Sequence, residues 1–151
     1  MKVVLQRVSE ASVTVGEQTT GTIGHGLVAL VGIAHGDDDF TLTTMATKVT
    51  NLRIFEDDDG KMNRSIMDVG GAILAVSQFT LFADCRKGRR PSFLGAAPPG
   101  DASVLFDCFV EKLRATGTIV ETGIFQAMMD VRLTNHGPVT IILDSNDWPR
   151  S

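Results

Sequence analysis

Every position from Leu27 to Ile33 (Leu-Val-Ala-Leu-Val-Gly-Ile) is apolar. A strand with one face in water alternates apolar and polar side chains, whereas a strand that is apolar throughout is covered on both faces. This run, the longest apolar stretch of the chain, is therefore expected to lie inside a barrel or between layers. It falls far short of the roughly 18 residues a membrane helix needs, and no membrane association is expected.

The neighbouring segments supply the material to cover it. Val3, Leu5 and Arg7 alternate with Val4, Gln6 and Val8, and Val13 and Val15 with Ser12 and Thr14, which is strand periodicity. Gly16 to Gly21 is rich in turn formers, so Ser12–Val15 and Thr22–Ile23 are expected to pair as a hairpin. Asp37-Asp38-Asp39 makes a helix start, because short acids cap free amides and favour the positive end of the helix dipole. Phe40, Met45, Val49 and Leu52 follow near one helical face. Asp57-Asp58-Asp59-Gly60 reads as a turn. Ala72 to Leu81 is expected to form another strand, turning polar at Ser77, Gln78 and Thr80. The segment from Arg86 to Gly100 holds three of the five prolines and reads as an irregular loop. Asp101 is expected to cap a second helix with Leu105, Phe109 and Leu113 on one side. Thr118–Val120, Asp130–Leu133 and Val139–Leu143 read as closing strands. No repeat or linker interrupts residues 1–151. The expected fold is a single compact mixed α/β domain, sheet-rich, barrel-like or built of layered mixed β-sheets, with two main helices.

Composition narrows the function classes. With 43 % apolar residues the chain can build a core, which excludes disorder. Arg7 breaks the apolar start early, so no secretory signal is expected. Cys85 and Cys108 read as reduced thiols of a cytoplasmic protein. Fourteen basic against 18 acidic residues give a net charge of −4, which argues against a protein that coats nucleic acid by bulk charge. The charges are uneven, however. Arg86, Lys87, Arg89 and Arg90 crowd one short stretch, so a local anion site is compatible with the acidic whole.

No metal or cofactor is expected. His25, His35 and His136 lack metal-ligand spacing, and the Asp57–Asp59 run lacks the ligand ladder of a calcium loop. Gly21-Thr22-Ile23-Gly24-His25-Gly26 reverses the glycine order of a dinucleotide fingerprint. Two places remain. In Ser77-Gln78-Phe79-Thr80-Leu81, a glutamine flanked by hydroxyls near a core strand must satisfy its polar groups. The segment is either a strand end with polar residues turned outward or a site. Asn135-His136-Gly137-Pro138-Val139-Thr140 is either a simple turn or a cis peptide. The cis form costs only about 0.5–1 kcal/mol before proline, and it would aim successive carbonyls the same way, suiting capture of an ammonium group.

Together these two segments resemble the signature motifs of the D-aminoacyl-tRNA deacylases (D-tyrosyl-tRNA deacylases). The likeness runs the length of the chain: Val4-Leu5-Gln6-Arg7-Val8, Leu52-Arg53-Ile54-Phe55, Lys61-Met62-Asn63, Arg90-Pro91-Ser92-Phe93 and Gly123-Ile124-Phe125-Gln126-Ala127-Met128-Met129. The resemblance implies a metal-free homodimeric enzyme that cleaves the ester joining a D-amino acid to the terminal adenosine of tRNA. It also implies action on glycyl-tRNA mischarged on tRNA-Ala. By the family pattern Ser77, Gln78, Phe79 and Thr80 line the catalytic pocket. Gly137 and Pro138, joined by a cis bond, enter the other subunit's pocket and select chirality. Phe125 and Met129 lie near the adenosine, and Arg7 braces the Gly-Pro loop. Lys87, Arg89 and Arg90 are either tRNA phosphate contacts or a solvated basic loop.

The implied chemistry is coherent. With the amine, carbonyl and ribose of an aminoacyl ester fixed, an L side chain is driven into the Gly-Pro backbone while a D side chain points outward. Neither motif holds a histidine or carboxylate, so a base-assisted triad is not expected. Either Thr80 attacks or positions a water, or the substrate's ribose 2′-hydroxyl assists while amides near Phe79 and Thr80 stabilise the oxyanion. Two other functions compete: a non-catalytic RNA-binding domain, which would lack interleaved aromatics for base stacking since there is no Tyr and Trp148 sits near the end, and a general D-amino acid esterase that needs no tRNA.

Overall fold

The computed structural model describes residues 1–150. The apolar run forms β3 (Gly26–Gly32), and its alternate residues enter different cores. Leu27, Ala29 and Val31 join the larger cluster with Leu42, Met45, Phe109 and Leu113, while Val28 joins a second cluster with Val8, Val13, Ile23 and Leu74. Both faces of the strand are thereby covered.

β1 (Lys2–Val15) is one long strand that pairs with three neighbours. Its first half runs antiparallel to β3 and its second half forms the expected hairpin with β2 (Gln18–Ile23), in the register Ser12 opposite Thr22. Along its other edge lies β8 (Asp130–Asp144). β3 continues in parallel to β6 (Ala72–Ser77), and β6 in parallel to β7 (Ile119–Thr122). Parallel neighbours require crossovers, and these carry α1 (Asp39–Asn51) and α2 (Pro99–Ala115), which pack together on one face. β2 and β7, the ends of the strand path, approach each other, so the sheet is nearly closed. A small hairpin of β4 (Phe55–Glu56) and β5 (Met62–Arg64) lies outside it.

Local chemistry sets the boundaries. The Asp38 carboxylate caps α1, accepting from the Thr41 amide at 3.0 Å and its hydroxyl at 2.9 Å. Phe40 does not join the buried face: its ring is 48 % exposed beneath the Arg150 guanidinium, 5.7 Å from the ring centre. The second helix starts earlier than expected, with Pro99 in its first turn and Asp101 inside that turn rather than capping it. Proline suits this position because the first helical amides have no partner within the helix. The irregular loop accordingly ends at Pro98. The strand expected over Ala72–Leu81 stops at Ser77: the Gln78 amide makes a last bond to the Val31 carbonyl, at 2.7 Å, and a 3₁₀ turn follows over Phe79–Phe82.

The segments expected as two closing strands, Asp130–Leu133 and Val139–Leu143, belong to a single β8. Thr140 lies opposite Gln6 and Asn135 opposite Val8, so Arg7 alone faces the intervening residues 136–139. Those residues stand out from the ladder as a loop. The Gly137–Pro138 peptide bond within it is cis.

Candidate active site

The end of β6 opens into a cleft of about 730 Å³. Val31 and Val76 line its sheet side, Phe93, Leu94 and Pro98 come from the loop before α2, and Phe125, Met128 and Met129 from the segment before β8. Ser77, Gln78 and Phe79 enter where the strand gives way to the 3₁₀ turn. Phe79 is 59 % exposed and meets Phe93 edge to face, ring centres 5.1 Å apart. Phe125 leans on Phe106 of α2. Its segment is tightened by Gln126 at φ 63° and by the bond from the Ala127 amide to the Ile124 carbonyl, 3.2 Å.

Polar groups in the cleft are few. The Gln78 side-chain amide donates to the Thr80 hydroxyl. Thr80 itself is exposed and stands beside the lining, joined to it through Gln78. The opening amides of a 3₁₀ turn have no partner within the turn, and here those amides belong to Phe79 and Thr80. Among the described residues that line the cleft, none carries a carboxylate, imidazole, amine, guanidinium or thiol. The lining thus offers no base, and the arrangement supplies hydrogen-bond donors and aromatic surface.

A second cluster lies apart from the cleft. Arg7 is 5 % exposed. Its Nε donates to the His136 carbonyl at 2.9 Å and its Nη1 to the Ile54 carbonyl at 2.9 Å. Arg7 thus ties the base of its own chain's Gly-Pro loop to the segment before β4. A Cβ on Gly137, whose φ is +140°, would lie 3.0 Å from Arg7 Nη2 and 2.8 Å from Val139 Cγ2. Arg7 and His136 border a separate cavity of about 150 Å³ with His25, Phe55 and Glu56.

The structure therefore brings Ser77, Gln78, Phe79, Phe125 and Met129 together, and groups Arg7, Gly137 and Pro138 elsewhere on the same chain. Lys87, Arg89 and Arg90 are exposed in the loop before α2. Arg86 is engaged: it binds Asp84 through two bonds, at 2.8 and 2.7 Å, and its guanidinium holds the Asp84 carboxyl below its ordinary value. Leu94 and Pro98 are lining residues that no motif marks, and Met128 was legible only as part of Gly123–Met129. Phe93 was legible only as part of Arg90-Pro91-Ser92-Phe93. Among the described residues no three His, Cys, Asp or Glu side chains gather as a metal site, and no helix is long and apolar enough to cross a membrane.

Fold and cleft define a sheet-rich mixed α/β domain with an apolar cleft, and its relatives supply the class of enzyme, a hydrolase. Residues 4–144 match the family described as D-Tyr-tRNA(Tyr) deacylase. A D-aminoacyl-tRNA deacylase of Thermomicrobium roseum is 63 % identical over 145 residues, 96 % of this chain and 94 % of the relative. One from Thermus aquaticus is 56 % identical over 149 residues, 99 % of this chain and 98 % of the relative. The chain belongs to the D-aminoacyl-tRNA deacylase family. Among solved structures, the c-Myc DNA Unwinding Element Binding Protein superposes with a TM-score of 0.90 at 44 % identity, over 95 % of this chain and 98 % of that one. A probable eukaryotic D-amino acid tRNA deacylase shares the fold, with a TM-score of 0.81 at 18 % identity over 94 % of this chain and 97 % of that one.

Proposed function

We propose that this protein hydrolyses the ester of D-aminoacyl-tRNA, and of glycyl-tRNA carried on tRNA-Ala, in the cytoplasm. Free D-amino acid or glycine and tRNA are released, and L-aminoacyl-tRNA is spared. The observation that carries the reading is the chemistry of the cleft: aromatic and thioether surface, a few donors, and no titratable group along the lining. A site that brings no base needs a substrate that brings its own assistance, and the ribose 2′-hydroxyl next to an aminoacyl ester can do so.

In this account the terminal adenosine lies against Phe125 and Met129, with the ester carbonyl at the Phe79 and Thr80 amides. Water adds to the carbonyl carbon, the bond to the ribose oxygen breaks, and that oxygen leaves with a proton. Donors aimed at the developing oxyanion contribute about 3–4 kcal/mol each. Thr80 holds Gln78 in place rather than attacking, since a threonine without a neighbouring base is a weak nucleophile.

Chirality is policed by the Gly137–Pro138 main chain of a second copy in a homodimer. The loop stands away from the cleft of its own chain and is braced from behind by Arg7. An L side chain meets that backbone, a D side chain avoids it, and glycine has nothing to clash. Steric exclusion of this kind does not measure side-chain size, where one methylene is worth only about 1–3 kcal/mol. Lys87, Arg89 and Arg90 contact phosphates of the acceptor stem.

Incubation with D- and L-tyrosyl-tRNA, scored for released tyrosine, tests the proposal, with a D-tyrosine ester lacking tRNA run alongside. Release from D-tyrosyl-tRNA alone is expected. Release from neither tRNA would make the chain a binding domain, and equal cleavage of the free ester would make it a general esterase.

A further inference from the structure

We propose that Asn135 is a positioning residue for chiral selection, acting as the staple that closes the mouth of the Gly137–Pro138 loop. This inference rests on the wedge reading given above. Asn135 and Thr140 are the last residues of β8 paired with β1 on either side of the loop, opposite Val8 and Gln6. Between them the chain leaves the ladder, so ladder bonds do not fix its course.

The Asn135 side chain replaces them. Its Oδ1 accepts from the Val139 amide at 2.8 Å, and its Nδ2 donates to the Thr140 hydroxyl at 3.1 Å. That hydroxyl also accepts from Gln6 Nε2 at 3.3 Å, which links the staple to β1. One carboxamide thus satisfies an N–H and a hydroxyl from the returning limb of the loop: the N–H fixes its oxygen, and the hydroxyl, which can accept or donate, meets the second terminal atom. Arg7 holds the outgoing limb at the His136 carbonyl. The two clamps differ in kind: Arg7 anchors the loop to the body of the domain, whereas Asn135 sets the distance between its two limbs. Gly137 and Pro138 lie between the clamped points. An unstapled loop would still fold onto the domain, but its backbone would yield to an L side chain.

The test compares Asn135→Ala, Asn135→Asp and Thr140→Val with the parent enzyme. Each is checked for folding and dimerisation and then scored for the ratio of D- to L-tyrosyl-tRNA deacylation. Asn135→Asp keeps the acceptor for Val139, and the Thr140 hydroxyl can turn to donate to its second oxygen. The ratio is expected to fall about tenfold or more in Asn135→Ala, through faster turnover of the L substrate, and to stay within about threefold of the parent in Asn135→Asp. A folded Asn135→Ala dimer with unchanged ratio overturns the proposal, as does Asn135→Asp falling as far as Asn135→Ala. Should Asn135→Ala fail to fold, Thr140→Val decides: a fall of about threefold is expected, and no change overturns the staple. Gly137→Ala separates the two levels of the argument. If it leaves the ratio unchanged the wedge itself fails and the staple with it. If it lowers the ratio while Asn135→Ala does not, only the staple fails.

Discussion

Gly137→Ala is the substitution whose consequence follows most directly from the atomic surroundings. The added methyl would lie 2.8 Å from Val139 Cγ2, 3.0 Å from Arg7 Nη2 and 3.0 Å from the Val139 amide nitrogen, at a residue with φ +140°. A non-glycine residue held in such a conformation costs on the order of 1–3 kcal/mol. Arg7 cannot swing aside freely, because it is 5 % exposed and its guanidinium is tied to the His136 and Ile54 carbonyls. Relief therefore comes from displacing the loop. That loosens a bond to a charged group worth about 1.5–3 kcal/mol and the Val139–Asn135 bond, worth about 0.5–1.5 kcal/mol. The system takes the cheaper of strain and displacement, and either way the loop backbone gives by about 2 kcal/mol. At about 1.4 kcal/mol per factor of ten, the D:L ratio in kcat/KM should fall roughly 10- to 100-fold. The melting temperature should drop by about 4–8 °C, at roughly 2–4 °C per kcal/mol for a chain of this size. Steady-state deacylation of D- and L-tyrosyl-tRNA with a thermal melt measures both. A variant with parental melting temperature and parental selectivity would show that Gly137 is neither tightly packed nor part of the selecting surface.

Other consequences are narrower. Thr80→Ala should retain most activity on D-tyrosyl-tRNA, while a tRNA ending in 2′-deoxyadenosine should be cleaved at least about 100-fold more slowly. A dead Thr80→Ala beside normal cleavage of the deoxy substrate would reverse that assignment. Neutralising Lys87, Arg89 and Arg90 should weaken tRNA binding and lower the salt slope by up to about three, read from binding isotherms at several salt concentrations. Unchanged binding would return the loop to a solvated role. The Asp38 carboxyl is held at about 2, first by the Thr41 amide and then by the Arg150 guanidinium and the Thr41 hydroxyl. Its folded value lies below its unfolded value, so its contribution to stability is present above about pH 4 and is lost as the pH falls toward about 2. Asp38→Asn, which keeps a capping oxygen, should flatten the fall of melting temperature across that window.

What could be read from the chain and what could not divide along physical lines. The Leu27–Ile33 run demanded cover on both faces because periodicity is a local record of burial, and β3 does send alternate residues into two cores. The Asp38 cap was legible for the same reason, since a cap satisfies amides three residues away. Phe40 was misplaced because its partner, Arg150, is remote in sequence and no spacing rule sees it. The overrun of β6 past Ser77 has a similar origin: composition does not say where the neighbouring strand makes its last bond, and here that is Gln78 to Val31. β8 was divided at Gly-Pro because those residues signal a turn, whereas β1 remains opposite on both sides of the loop and keeps a single strand. In the cleft, Ser77, Gln78, Phe79, Phe125 and Met129 were legible through motifs. Leu94 is an exposed apolar residue in no motif, and only folding brings it beside the Phe125–Met129 segment.

The central claim is that each cleft is policed by the other subunit's main chain, and mixed dimers test it most directly. One subunit carries Gly137→Ala with an intact cleft, and the other carries an intact loop with a cleft disabled by Gln78→Ala and Phe125→Ala. In the purified heterodimer the working cleft receives the intact loop of its neighbour if the wedge acts across the twofold. The account predicts about half the activity of the parent dimer, one site of two, with parental D:L selectivity. Residual activity that tolerates L-tyrosyl-tRNA as the Gly137→Ala homodimer does would place the selecting backbone within the same subunit and contradict the account.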